Sequence, residues 1–231
     1  MQLKDCGGYP IRGFALGVAL RRRARIMWTA AAVVGALLLA AVVFLWLAQD
    51  IEVPNYSVER AEGPLEIRDY PALIVAEVQR EGPRLRAIQK GFGPLAGYIF
   101  AKGREGERIA MTAPVTQVPA GDHAPATSAS RWHVRFIMPA DYTMARLPRP
   151  TNEAIRLQEL PAARRAAIRF SGVATDALLE QKEAALRAWI ADNGFTPIGA
   201  PEYAYYNDPI TPGFLRRNEV LIQVAAGETA E

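Results

Sequence analysis

The sequence predicts an α+β fold: a strand–turn–strand–helix unit used twice within one mixed sheet or distorted barrel, preceded by a single N-terminal transmembrane helix. Three observations predict it. The chain repeats its apolar register at an offset of ninety positions, one long stretch among the first fifty residues is free of charge, and short β-rich runs bounded by Gly and Pro fill the rest. In the repeat, Ile67 lines up with Leu157, Tyr70 with Leu160, Pro71 with Pro161, Ala76 with Ala166, Val78 with Ile168, Gly82 with Gly172 and Ala87 with Ala177. The surface positions between them differ. A register kept mainly at apolar positions is what two copies of a unit leave when each buries a common face.

The first element is the apolar run. Ile26 to Ala48 contains no charged residue, and at a rise of about 1.5 Å per residue it is long enough for a hydrocarbon core of about 30 Å. Arg21, Arg22, Arg23 and Arg25 precede it. The positive-inside rule therefore keeps 1–25 as a basic cytoplasmic segment, makes 26–48 a single-pass anchor through the lipid bilayer, and places the rest outside the cytoplasm, in the periplasm of a bacterium. A cleaved signal peptide is the alternative, although Leu45-Trp46-Leu47-Ala48 makes a poor small-x-small cleavage site. A start at Met27 would remove the basic flank and the orientation with it.

Of the 231 residues, half are apolar and 22% charged, enough for a sizeable core beyond the anchor. Six of the 27 basic and two of the 24 acidic residues lie in 1–50, leaving 21 and 22 in the remainder. That part is near neutral. The pI of about 9.1 reflects the basic flank and gives no reason to expect nucleic acid as a partner. Cys6 is the single cysteine and precedes the apolar run, so the exported part forms no disulfide.

From residue 49 to 225 the pattern reads as one domain, with 226–231 a tail. Strands are expected at Tyr56–Arg60, Leu65–Tyr70, Ala72–Gln79, Arg108–Val118, Trp132–Met138, Ala154–Leu160, Ala166–Ser171 and Glu219–Val224. A first helix carries Leu85, Ile88, Phe92, Leu95 and Ile99 at helical spacing, with a break or kink expected at Gly91, Gly93 and Pro94. A second runs from a Thr175 N-cap through Leu178, Leu179, Leu186, Trp189 and Ile190 to an Asn193-Gly194 stop, supported by the Glu183–Arg187 pair. Between them, Ala120 to Ser130 is small and polar and reads as a surface loop.

Several segments are more specific than periodicity: Tyr98-Ile99, Arg108-Ile109-Ala110-Met111-Thr112-Ala113-Pro114-Val115, and Arg217-Asn218-Glu219-Val220. With Tyr56-Ser57-Val58-Glu59, Ile67-Arg68-Asp69-Tyr70, Phe136-Ile137-Met138-Pro139 and Leu147-Pro148-Arg149-Pro150, in this order, they resemble the SOUL heme-binding family over about residues 54–224. The resemblance implies a pseudo-twofold duplicated, distorted β-barrel with two helices. It also implies a heme or related tetrapyrrole held in a shallow apolar groove beside the first helix. A porphyrin needs a flat apolar wall and cations for its propionates. Phe92, Leu95, Ala96 and Ile99 are the expected wall, Arg86 and Lys90 the expected cations, and Arg216 and Arg217 are placed across the same groove.

The sequence departs from the family pattern at Ala96 and Gly97, where some relatives carry a Met and a basic residue. No iron ligand is expected. His123 falls in the polar loop, and His133 lies on a strand face with Arg131 and Arg135. Met111 is a soft candidate whose motif fits strand and turn geometry better. Docking without iron ligation follows. Pro114 and Pro209 are expected at corresponding points of the two halves, as rigid turns flanking the groove.

Catalysis is not expected. With no cysteine after Cys6 and two poorly placed histidines, nucleophile–base pairs lack support, and there is no Gly-x-Ser-x-Gly elbow, phosphate loop or zinc-ligand spacing. A water polarised by Glu202 or Glu219 stays open. The expected function is thus a membrane-anchored heme or tetrapyrrole binder, a carrier or buffer. Two alternatives remain: a binding module for another amphipathic small molecule, and a ligand-free interaction domain whose groove is filled by Phe92, Trp189 or Tyr205.

Overall fold

The computed structural model describes residues 27–29, 31–43, 51–121 and 131–226, and the chain divides into two units, Met1–Asp50 and Ile51–Glu231. In the first unit, residues 27–29 and 31–43 are helical (α1) with exposed side chains. The expected anchor 26–48 therefore lies partly outside the described residues. So do the basic segment 1–25 with Cys6, residues 122–130 of the polar loop with His123, and the tail beyond 226. Among the described residues, no helix is long and apolar enough to cross a membrane.

The second unit runs β1 (Ser57–Glu62), β2 (Leu65–Tyr70), β3 (Leu73–Glu81), α2 (Arg84–Ile99), β4 (Val115–Pro119), β5 (Arg131–Ile137), β6 (Ile155–Leu160), β7 (Ala163–Phe170), α3 (Asp176–Asp192), β8 (Phe195–Tyr205) and β9 (Asn218–Ala226). All nine strands join one antiparallel sheet in the order β1-β2-β7-β9-β8-β4-β5-β3-β6. Set β1 aside and exchange β2 with β6, β3 with β7, β4 with β8 and β5 with β9, and the order reads the same backwards. The registers agree: Ile67 faces Ala166 across β2 and β7, and Ala76 faces Leu157 across β3 and β6. Moving each residue by ninety positions turns one pair into the other. The two halves meet where β4 pairs with β8, with Gln117 opposite Tyr203.

The expected barrel does not form. Among the described residues, β1 pairs only with β2 and β6 only with β3, so the sheet stays open at both ends. Both edges carry charge, with Glu59, Arg60 and Glu62 on a fully exposed β1 and Arg156 and Glu159 on β6, a pattern that discourages further strand pairing. One sheet face is covered by the helices. Around α3 it buries Ile67, Ala166, Ile168, Val220 and Ile222, and around α2 Ala76, Val78, Val134 and Phe136. Every described core cluster lies within Ile51–Glu231, so this unit carries its own core.

The expected break in the first helix is absent: α2 is continuous with Pro94 inside it. Proline supplies no N–H to the carbonyl four residues back. The Lys90 carbonyl instead accepts the Arg80 Nε–H at 3.3 Å. Gly91 lets the helix lie directly on β5, because a Cβ there would stand 2.8 Å from Val134 Cβ and Cγ2. α3 is built as expected, with Leu178 N donating to Thr175 Oγ1 at 3.3 Å, Arg187 Nε donating to Glu183 Oε1 at 2.8 Å, and Gly194 at φ +74° past the end.

Two strand expectations change. β8 has no counterpart among the expected strands, because Pro197, Gly199 and Pro201 mask it. Pro197 pairs in register with Val224, while Gly199 and Pro201 fall in a bulge, where the β8–β9 register shifts between Ile198 and Glu202 and Gly199 takes φ +69°. The expected strand Arg108–Val118 shortens to β4, with a single bridge from Thr112 to Glu52 before it. Pro114 and Pro209 do not correspond. The first precedes β4, whereas the second follows β8, the twofold mate of β4.

Candidate functional site

α2 is narrow where it meets the sheet and open elsewhere. At about 3.6 residues per turn its outer surface divides into three lines. Leu85, Phe92 and Ala96 form an apolar line, with Leu85 58% and Phe92 39% exposed. Arg86 and Lys90 form a parallel line of exposed cations, one turn apart, and neither side chain takes part in a hydrogen bond or ion pair among the described residues. Between and beside these lines run Gln89, Gly93 and Gly97, where a Cβ at either glycine would meet nothing within 4 Å. Phe92 is steadied edge-on against buried Phe136, with ring centroids 5.2 Å apart. The result is a bare backbone floor flanked by an apolar ridge on one side and two free positive charges on the other.

Not all expected wall residues reach that floor. Leu95 and Ile99 are 0% and 1% exposed and belong to the core beneath. Leu85, read on the same helical stripe as Leu95 and Ile99, is outside. The buried line is Arg84, Ala87, Gly91, Leu95 and Tyr98, shifted one residue from the line of large apolar side chains. Arg216 and Arg217 are committed elsewhere. Arg216 donates to the carbonyls of Thr211 and Pro209, while Arg217 donates to Glu219 Oε1 at 2.7 Å and stacks 3.8 Å over the Tyr206 ring.

Sequence reasoning missed Arg84, which is buried at the start of α2. Its guanidinium donates to Asp176 Oδ1 at 2.5 Å, to the Tyr205 hydroxyl at 2.6 Å and to the Ala174 carbonyl at 2.6 Å, joining α2 to the start of α3. Burial pushes the Tyr205 hydroxyl up to about 12, against the opposing Arg84 charge. A buried arginine leaves no periodic signal, so pattern reading passes over it.

The face away from the helices holds charge in pairs. Arg68 donates to both Glu219 oxygens at 2.7 and 3.2 Å, and the Tyr206 hydroxyl donates to the same carboxylate at 2.8 Å. Burial raises the Glu219 carboxyl, but Arg68 and Arg217 outweigh it and hold it below the ordinary range. The same balance lowers Glu202, buried beside Arg165 and Arg135. Glu77 accepts from His133 Nδ1 at 2.7 Å and Arg135 Nε at 2.6 Å, and these bonds overcome the burial that would raise it. Glu202 and Glu219, the two carboxylates suited to polarise a water, are thus locked as ionised partners of arginines.

His133 therefore lies on the sheet face opposite α2, and Met111 packs against the α2 core cluster. Among the described residues, no group of three or more His, Cys, Asp or Glu is placed to hold a metal. The family-like motifs themselves serve architecture. Thr112 Oγ1 donates to the Ile137 carbonyl at 2.5 Å, the Tyr98 hydroxyl to the Pro148 carbonyl at 2.8 Å, and Arg68 to Glu219 as above.

Two concavities lie away from α2. A cavity of about 20 Å³ is lined by Tyr56, Tyr70, Thr116, Arg165 and Glu202. A larger cleft of about 410 Å³ opens where β3 begins and β5 and β6 end.

The family model described as SOUL heme-binding protein matches residues 51–223. No curated protein matches the chain. Among solved structures, the EcmrR C-terminal domain is similar at 17% identity and TM-score 0.55, over 74% of this chain and 98% of that one. A hydrolase encoded by lin2189 from Listeria innocua is similar at 12% identity and TM-score 0.52, over 72% and 94%. At these identities the two structures establish the fold alone.

Proposed function

The chain belongs to the SOUL heme-binding protein family, and from that premise we propose that it binds heme or a related tetrapyrrole on the outer face of α2. The observation that carries this reading is the arrangement of Leu85, Phe92 and Ala96 beside the open Gly93–Gly97 backbone, with Arg86 and Lys90 free on the far side. A flat ring has van der Waals partners on the apolar line, and its propionates have cations on the neighbouring line of the helix. Leu95 and Ile99 support the floor from below. Tetrapyrrole iron is not ligated by His133, whose Nδ1 is engaged with Glu77 on the opposite sheet face. Such shallow, charge-led docking suits reversible carriage or buffering rather than catalysis. The charge-free run 26–48 with its arginine flank supports tethering at a membrane, the binding unit lying outside the cytoplasm.

The test is a hemin titration of the Ile51–Glu231 unit followed at the Soret band. Wild type is expected to saturate at one hemin per chain. An Arg86→Ala/Lys90→Ala variant should bind about three- to tenfold more weakly, since exposed ion pairs contribute roughly 0.2–1 kcal/mol each, while His133→Ala should bind as wild type. A non-saturating titration, or loss of binding in His133→Ala alone, would overturn the proposal. The ligand-free alternative is disfavoured by one particular: Trp189 and Tyr205 are used inside the fold, by Glu62 and Arg84, and Phe92 remains exposed.

A further inference from the structure

The cleft at the start of β3 is chemically the opposite of the α2 face. Its walls are Ile74, Met138, Met144 and the ring of Tyr142, and the charged side chains that line it are Glu52 and Glu159. Among the described residues, no lysine or arginine lines it. We propose that this cleft is a second ligand site, for a compact apolar organic cation.

Four features of the site carry the proposal. First, its volume of about 410 Å³ falls in the range of small-molecule sites, roughly 300–1,000 Å³. Second, the methionines give an adaptable, polarisable wall, and Met144 is 41% exposed along it. Third, one carboxylate is anchored by a hydrogen bond and the other is carried on a paired strand. The Glu52 carbonyl accepts from Ala113 N at 2.8 Å and its Oε1 from Ala140 N at 2.7 Å, which anchors it across the cleft mouth, while Glu159 is held in the β3–β6 ladder opposite Ile74. Fourth, neither carboxylate is paired with a cation among the described residues, unlike Glu77, Glu202 and Glu219 on the same sheet. The nearby Arg146 stands over the Tyr142 ring at 5.5 Å, donates to the Asp141 carbonyl and is not among the lining residues.

Apolar walls next to two unneutralised carboxylates attract a cation that shields its charge in hydrocarbon and repel an anion of the same shape. The same charges exclude propionates, so this cleft and the tetrapyrrole face select different ligands. The site does not depend on the α2 reading.

The experiment is calorimetric titration of the Ile51–Glu231 unit with tetraphenylarsonium and with tetraphenylborate, near-identical shapes of opposite charge. Saturable binding of the cation and about tenfold weaker binding of the anion are expected. A Glu52→Gln/Glu159→Gln variant should lose about tenfold in cation affinity while keeping the Ala140 hydrogen bond and hemin binding unchanged. A Met144→Trp variant, which fills the cleft, should abolish cation binding. Equal binding of both ions, or cation affinity unaltered in the Gln variant, would show an apolar surface without charge selection and overturn the proposal. Absence of binding by either ion would overturn it as well, and neither result bears on hemin at α2.

Discussion

Gly91 and Gly93 stand two positions apart in α2 and meet opposite surroundings. A Cβ on Gly91 would lie 2.8 Å from Val134, whereas on Gly93 it would meet nothing within 4 Å. Gly91→Ala should therefore destabilise the unit by about 1–3 kcal/mol through overpacking. Gly93→Ala should leave stability unchanged or raise it by up to about 1 kcal/mol through helix propensity. Urea denaturation of both variants checks the pair, and equal midpoints would contradict the helix placement. Sequence reading saw these glycines only as breakers, because what distinguishes them is a neighbour 43 positions away in Gly91's case. Local signals were legible where both partners are close in sequence: the Thr175 cap, the Glu183–Arg187 pair and the Asn193–Gly194 stop all form. Arg84, whose partners Asp176 and Tyr205 come from the second half, was not.

At the scale of elements, the sheet face away from the helices is held by carboxylates paired with arginines. Glu77, Glu202 and Glu219 all sit below the ordinary value of 4.5. The unfolded chain therefore takes up protons first as the pH falls below that value, and the pairs stabilise the fold less and less as the pH drops through the lowered folded values. Above about pH 5 their contribution is complete. The expected urea midpoint is level from pH 7 to about 5 and declines steeply below about 4. A midpoint unchanged down to pH 3 would contradict the pairing. The strands of this face were legible by alternation, with the exception of β8. Its two prolines and Gly199 carry a turn signature, and only pairing with β9 around a bulge makes them a strand. Pro94 misled in the same way, since Arg80 takes up the carbonyl it leaves without a donor.

At the scale of the whole molecule, the ninety-residue echo was the most informative feature, because it survives as a palindromic strand order with matched registers. Closure of the sheet was not legible. It depends on whether the edges β1 and β6 find each other, which charges on both edges oppose. The binding face was legible only in part. Arg86, Lys90, Phe92 and Ala96 share the outside of α2, but Leu95 and Ile99 turn inward by one step of the helix, a rotation that periodicity alone does not specify when Arg84 and Gly91 occupy the buried line. Arg216 and Arg217 were read as lying across the groove because the partners that hold them, Pro209, Thr211 and Glu219, are recruited only by the fold.

The measurement that bears most directly on the tetrapyrrole face is an amide NMR spectrum of the Ile51–Glu231 unit with increasing hemin, whose iron broadens nearby signals. The account predicts broadening centred on Leu85 to Gly97 of α2, with the cleft segments Glu52–Asn55 and Met138–Met144 left sharp. Broadening confined to that cleft, or to the β8–β9 connection around Arg216 and Arg217, would contradict it.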